Sequence, residues 1–421
     1  MPQRRPIIRR LNRPGKAFTK NFCPLSLLLL AGSIGVLAAC NDKTRSTRPH
    51  QSEAALPAAQ VASGRQIFRF ETFGDENFWT DTLHMDRVIQ HAVDPTTALS
   101  VGLKVDMDAL PAPVVQAIQQ GKVDLKSPAT TVTLLKLGAV VGVSGTVSTV
   151  NGRDTLTRVG ITCALCHSTV DDAFAKGIGH RKDGWPNRDL NPGAIIALSP
   201  ALTAAQKEVY SSWGPGKYDA RYNFDGKNGP AVIPPAYGLA GVHRIIYTGD
   251  GTEVAYWNRY VAVTQMHGRG DFVEPRLGIN VQQPAPNLVE SKLPALQAYQ
   301  LSLSAPAPTV GSFDAAAAVR GKVVFEGQGR CSSCHLGEKF TDANVRLHSP
   351  SEAVTNPEYA LRSATKMWRT SPLRGVWQHP PYFHDGSAKT LADVVERYNS
   401  RKALNLTAQQ KADLVEYLKS L

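Results

Sequence analysis

The sequence predicts a mainly α chain built from two helix–motif–helix domains, the first carrying a large insertion with a small β-hairpin. Three observations predict this. The pentapeptide Cys-x-x-Cys-His occurs twice, at Cys163-Ala164-Leu165-Cys166-His167 and at Cys331-Ser332-Ser333-Cys334-His335. A helical stretch ends six residues before the second copy, and an amphipathic helix closes the chain. Weaker versions of the same two helices stand at 62–71 and 292–303, on either side of the first copy.

The second domain, 311–421, is the plainer one. Asp314 is a good N-cap for a helix running through Ala-Ala-Ala-Ala-Val-Arg-Gly-Lys-Val-Val-Phe325. At the end of the chain Leu414, Tyr417, Leu418 and Leu421 recur at helical spacing behind the cap Thr407. In the first domain, 61–303, Ala62-Ser-Gly-Arg-Gln-Ile-Phe-Arg-Phe-Glu71 parallels Ala318-Val-Arg-Gly-Lys-Val-Val-Phe-Glu326. Lys292–Leu303 parallels the terminal helix, down to Tyr299 and a Ser-Leu ending. About ninety residues separate the first helix from its pentapeptide, so the domain holds an insertion of roughly 75–158. Within it, 111–121 and 130–137 read as short helices. Two alternating stretches, 140–150 and 156–161, flank Asn151-Gly152, a strong hairpin signal. Ser304–Val310 is Pro/Ala-rich and reads as the linker.

The first 39 residues read as an address. Seven of the twelve surplus positive charges lie there, on Arg4, Arg5, Arg9, Arg10, Arg13, Lys16 and Lys20, with no acid among them. An apolar run, Leu25–Leu37, follows and stops at Leu37-Ala38-Ala39-Cys40. That ending resembles a bacterial lipobox. The resemblance implies lipidation of Cys40, a membrane-anchored periplasmic lipoprotein, and a flexible polar tether over 40–60. The remaining charge is mild, with no basic stripe and no aromatic–basic interleaving, so no nucleic-acid partner is expected. Cys23 leaves with the signal and Cys40 takes lipid. The other four cysteines form the two pentapeptides, and none is left for a disulfide.

Two thiols one turn apart with a histidine directly after them suit covalent haem. The thiols add across the vinyl groups and the histidine comes beneath the iron. A redox dithiol uses the same spacing but needs no histidine and would not usually occur twice. A zinc ion drawing on both motifs is the other reading. Export and the helix–motif–helix frame favour two covalently bound haem c groups, held by Cys163, Cys166 and His167 and by Cys331, Cys334 and His335. On that reading the two domains are cytochrome c-like.

Thr370-Ser-Pro-Leu-Arg-Gly-Val-Trp-Gln-His-Pro-Pro-Tyr-Phe-His-Asp-Gly-Ser, with Thr390-Leu-Ala-Asp-Val-Val after it, resembles the second haem domain of the di-haem cytochrome c peroxidase and MauG superfamily. Ser371-Pro372 departs from that family's usual Thr-Pro. The likeness covers the last 110 residues well and the insertion not at all. In the family, the residue fourteen after the histidine of His-Asp-Gly is the distal ligand of the second haem. Counted from His384, that position is Tyr398. The competing role for Tyr398 is a core aromatic at the haem edge. His384 is expected to be structural. The resemblance further implies a calcium ion between the domains.

For the first haem, Tyr256–Gly270 reads as a helix until its glycines, which puts Met266 and His267 at a helix end. Either of the two ligates iron, or His267 is the acid–base that polarises bound peroxide; Glu274 is the alternative acid–base. His180 and His243 are weaker candidates, and Trp185 and Trp257 are candidate electron bridges. The gly- and pro-dense loop 171–190 is expected to wrap the first haem.

The expected function is a periplasmic redox enzyme in which the first haem reacts with peroxide or dioxygen and the second relays or stores electrons. Its partner would be a small cytochrome or cupredoxin. One alternative is a non-catalytic electron-transfer subunit with both irons six-coordinate. Another is a structural or sensory lipoprotein whose haems report redox state.

Overall fold

A computed structural model describes residues 56–421. The signal segment, Cys40 and most of the tether lie outside the described residues. Among the described residues the chain is mainly helical, and its five sheets are two-stranded. No helix among them is long and apolar enough to cross a membrane.

Two helix pairs organise the molecule. In the first, Ala58–Phe70 crosses Leu293–Ser302; in the second, Ala315–Glu326 crosses Ala408–Lys419. Each crossing turns on a glycine. A Cβ on Gly64 would lie 1.9 Å from the Ala295 carbonyl oxygen, and one on Gly321 would lie 2.0 Å from that of Asp413. Four residues beyond each glycine stands a buried phenylalanine, Phe68 or Phe325. Each meets a tyrosine of the partner helix, Tyr299 at 5.4 Å and Tyr417 at 5.2 Å between ring centroids. Glycine is what lets the backbones close far enough for these rings to pack. The second pair is capped as its sequence suggests. Asp314 accepts from the Ala317 amide, and Thr407 forms a reciprocal capping box with Gln410.

Between the first helix and the first pentapeptide lie helices Met85–Ala92, Pro95–Ser100, Ala112–Gln119 and Pro128–Lys136. An antiparallel hairpin follows, Val143–Val150 with Arg153–Ile161. Its two turn residues, Asn151 and Gly152, have φ of 51° and 75°, the left-handed geometry that matches the twist of paired strands. This segment buries its own apolar cluster, including Trp79, Leu83, Val132, Leu135, Leu156 and Val159.

A seam rich in buried arginine joins the segment 217–250 to the C-terminal half. Arg221 pairs with Asp250 at 2.8 Å, donates to the Tyr359 carbonyl and lies over that residue's ring at 4.3 Å. Arg362 reaches back to Asp219 at 3.0 Å and Asp225 at 2.6 Å. Bidentate guanidinium–carboxylate contacts of this kind fix orientation as well as proximity.

Candidate haem sites

The first pentapeptide begins at Cys163 and continues as the single helical turn Ala164–His167. It is clamped from both sides. The Thr162 hydroxyl donates to the Arg69 carbonyl of the opening helix. The Gly184 amide donates to the His167 carbonyl at 2.8 Å, and the Asn187 amide to the Cys166 carbonyl at 2.9 Å. The loop after the motif therefore folds back along it, held by a short strand pair, Ser168–Val170 with Arg181–Asp183. The second pentapeptide opens as the 3₁₀ turn Cys331–Ser333, and the His335 amide closes onto the Cys331 carbonyl at 2.9 Å.

The residues present fit haem c. All four described cysteines are free thiols. Burial pushes Cys163 and Cys166 up to about 12 and Cys331 up to about 11, so none is a standing thiolate nucleophile. Burial holds His167 neutral, its pKa down to about 4, with the Pro234 carbonyl opposing. Its Nδ1 makes no full hydrogen bond. His335 is also pushed down by burial, and its Nδ1 donates to the Phe340 carbonyl at 2.9 Å. That bond puts the proton on Nδ1 and leaves Nε2 as the unprotonated nitrogen, as a metal-ligating imidazole requires.

Cys334, Asp342 and His348 bring one ligand atom each to within 4.8 Å of the others. Asp342 is already committed, however. It holds His348 Nε2 at 3.0 Å and Arg346 at 2.9 Å, and Thr370 pairs with the same imidazole. These contacts brace the loop behind the second pentapeptide.

Tyr398 lies on the helix Leu391–Arg401, begun by the capping box of Thr390 and Asp393. It packs against the same apolar cluster as Cys331. Burial, with Cys331 and Cys334 nearby, pushes its phenol up to about 12. Tyr398 thus stands at the second pentapeptide.

Met266 and His267 follow the helix Val254–Thr264. Met266 is 2 % exposed and shares one cluster with Phe73 and Ala164, against which Cys163 packs. His267 has φ of 65°, a left-handed geometry uncommon for a residue with a side chain. Its ring stacks on Phe78 at 3.6 Å between centroids, and burial lowers its pKa to about 4. Phe78 belongs to a π-helical stretch, Asn77–Thr82, an irregularity frequent at functional sites.

Glu274 differs from the acid–base expectation. It takes Arg276 at 2.6 and 2.8 Å and the Tyr256 hydroxyl at 2.9 Å. The Arg276 hydrogen bonds hold its pKa down to about 2, which makes it a poor proton acceptor. Trp257 stacks on Tyr260 at 4.6 Å within the first core, so it is a packing residue. Trp185 meets Trp377 edge-on at 6.3 Å. His180 pairs with Asp108 at the surface, and His243 is exposed. His384 is buried among Trp368, Tyr359 and Tyr247, with Thr355 on its Nδ1, a structural setting.

The sequence reading missed Asp75. Its carboxyl is fully buried, with the Ile161 amide at 3.2 and 3.3 Å. Burial raises its pKa to about 9, and its charge is felt at Cys163. No periodicity or motif marks it; only the packing of the hairpin against the segment after the first helix encloses it. His379, paired with Tyr237 at 3.1 Å and pushed by burial down to about 3, escaped for the same reason.

No family model matches the chain. It is 28 % identical over 121 residues to the methylamine utilization protein MauG of Methylorubrum extorquens, covering 25 % of this chain and 34 % of MauG, about a third of that relative's length. It is 25 % identical over 308 residues to the cytochrome-c peroxidase IdrP1 of Denitromonas iodatirespirans, covering 56 % and 78 %. A solved diheme peroxidase of Burkholderia thailandensis aligns over 62 % of this chain and 81 % of its own, at 16 % identity and a TM-score of 0.33. The two Cys-x-x-Cys-His sites, whose free thiols and histidines suit haem c, thus stand in a chain whose sequence relatives include MauG and a cytochrome-c peroxidase, the MauG-like di-haem peroxidase superfamily it resembles.

Proposed function

We propose that the protein is an exported di-haem c-type enzyme in which the first haem reacts with peroxide or dioxygen and the second exchanges and stores electrons. The observation that carries this reading is the asymmetry of the two pentapeptides. Ala164 and Leu165 of the first are buried, whereas Ser333 of the second, and Leu336 just after it, are exposed. A buried site excludes water and strengthens electrostatic effects on bound reactants. A site whose edge meets solvent suits electron exchange with a small donor such as a cytochrome or cupredoxin.

Haem, when bound, supplies the iron for one-electron and peroxide chemistry. The chain supplies the rest. His167 and His335 offer neutral imidazoles as ligands. At the first site, His267 is neutral at neutral pH and so able to accept a proton at a ring nitrogen. Asp75 is the complementary acid, protonated at neutral pH and sealed from solvent. At the second site, Tyr398 presents a phenol held neutral by burial, and a metal ion ligated by it would draw off its proton. Trp185 and Trp377 lie in edge contact between the segments that follow and face the two motifs, a route for electrons. A lipid on Cys40 would keep the enzyme at a membrane surface in the periplasm.

The test is the optical spectrum of the purified ferric protein before and after stoichiometric hydrogen peroxide. A high-spin component consumed within the mixing time is expected. Purely low-spin bands that ignore peroxide, in both the ferric and the half-reduced protein, would leave an electron-transfer subunit instead.

A further inference from the structure

We propose that Arg188 and Arg369 are the counter-charges of the haem propionates, Arg188 for the first haem and Arg369 for the second. This rests on the reading that both pentapeptides carry haem.

Each arginine is tied to its motif through the backbone. Arg188 directly follows Asn187, whose amide is bonded to the Cys166 carbonyl, and its charge is felt at His167. Arg369 directly precedes Thr370, whose carbonyl accepts from Thr341 of the loop after the second motif at 2.5 Å. The backbone of Ser371, the next residue, bonds toward His335 itself.

Among the described residues, neither guanidinium has a carboxylate within 4.0 Å. The other two large arginines of the same seam do: Arg221 has Asp250, and Arg362 has Asp219 and Asp225. Arg188 spends one nitrogen on the His379 carbonyl at 3.0 Å, and Arg369 spends one on the Arg244 carbonyl at 2.7 Å. Arg188 Nε and Nη1, Arg369 Nε and the neighbouring Trp377 Nε1 are buried without a hydrogen-bond partner. All four are donors. Tyr247 lies between the two arginines: its carbonyl accepts from the Arg369 amide at 2.8 Å and its side chain bonds toward Arg188. Burial lowers the pKa of both guanidinium groups.

Guanidinium nitrogens buried without a partner are costly unless an anion completes them. Planar guanidinium groups select carboxylates. Covalent attachment through the vinyl groups leaves the haem propionates as free carboxylates, so the missing anions arrive with the cofactor. The cation beside each propionate then offsets negative charge near the iron and favours the reduced state.

The experiment is a redox titration of the holoprotein with Arg188→Gln and Arg369→Gln. Arg188→Gln is expected to shift the first haem's equilibrium about tenfold toward the oxidised form, and Arg369→Gln the second's, each a fall of about 59 mV for one electron. Arg188→Lys and Arg369→Lys keep the charge and should largely restore the potentials. Potentials unmoved by the glutamine variants in a fully loaded protein would overturn the assignment. Should those variants not fold, resonance Raman of the wild type decides: propionate bending bands at the position of hydrogen-bonded carboxylates support it, and bands of free carboxylates overturn it. The haem count of the wild type, from its pyridine haemochrome, is read separately. Fewer than two haems would sink the reading on which the assignment rests rather than the arginine roles.

Discussion

Around the first pentapeptide the opening helix, the start of the hairpin and the fold-back loop close on the motif, and Met266 shares its apolar cluster. Around the second stand the helix pair, the helix Leu391–Arg401 with Tyr398, and one arginine-braced loop, while Ser333 and Leu336 reach solvent. Beneath this difference the two share one frame. Gly64, Phe68 and Tyr299 repeat as Gly321, Phe325 and Tyr417, with the same glycine-to-phenylalanine spacing and nearly the same ring distances. The helix crossing holds a pentapeptide in place, and what surrounds it sets the chemistry there. A frame held by backbone contact is indifferent to what is inserted between its helices, so about ninety residues can stand between the first helix and the first pentapeptide without altering that pair's crossing.

The sharpest way to break the comparison is to break the frame. Gly64→Ala and Gly321→Ala should each cost about 1–3 kcal/mol or more, because the added methyl meets a backbone carbonyl that cannot step aside. Urea denaturation of the two variants checks this. A loss at one glycine and none at the other would mean that the two pairs are not equivalent. A narrower effect follows from Tyr398→Phe. It should alter the optical spectrum and reduction potential of the second haem and leave those of the first in place. Equal changes at both haems, or none, would remove Tyr398 from the second site.

The smallest effects are in the pH dependence of stability, and their signs oppose one another. Asp75 has its pKa raised from 3.8 to about 9, so its contribution is fully present below 3.8 and is lost as pH rises toward 9. Asp75→Asn should therefore stabilise the protein at pH 8, by about 1 kcal/mol, and flatten the alkaline side of the profile. His384 has its pKa lowered from 6.5 to about 4. Its contribution is present above 6.5 and is lost as pH falls toward 4. His384→Asn should flatten the acid side. Thermal melts from pH 4 to 9 read both limbs, and an alkaline limb unchanged by Asp75→Asn would show that this carboxyl is ionised in the native protein.

Much of the local structure was legible in the sequence because it rests on local rules. The caps at Asp314 and Thr407, the Asn151-Gly152 turn, the short helices of the insertion and the repeated helix ends each depend on residues within a few positions of one another. The two candidate haem motifs are legible for the same reason, since thiol, thiol and imidazole must be adjacent in sequence to meet one porphyrin edge and its iron. Glu274 shows where such reading stops. Nothing in its neighbourhood of the chain says that Tyr256 would join Arg276 in neutralising it.

Asp75, His379, Arg188 and Arg369 were decided by the tertiary structure alone. Each matters through burial and through charges that come from distant segments, and burial is a property of the whole packed chain. An arginine in a sequence is an ordinary surface residue until two segments of the chain close over it and leave it without a carboxylate. By itself the sequence determined which thiols and imidazoles are candidates to hold haem and how the helices that frame them begin and end. The fold decided which motif's spacer residues are buried, which motif has neighbours that reach solvent, and where the unpaired charge lies, because those depend on long-range contacts that no local pattern encodes.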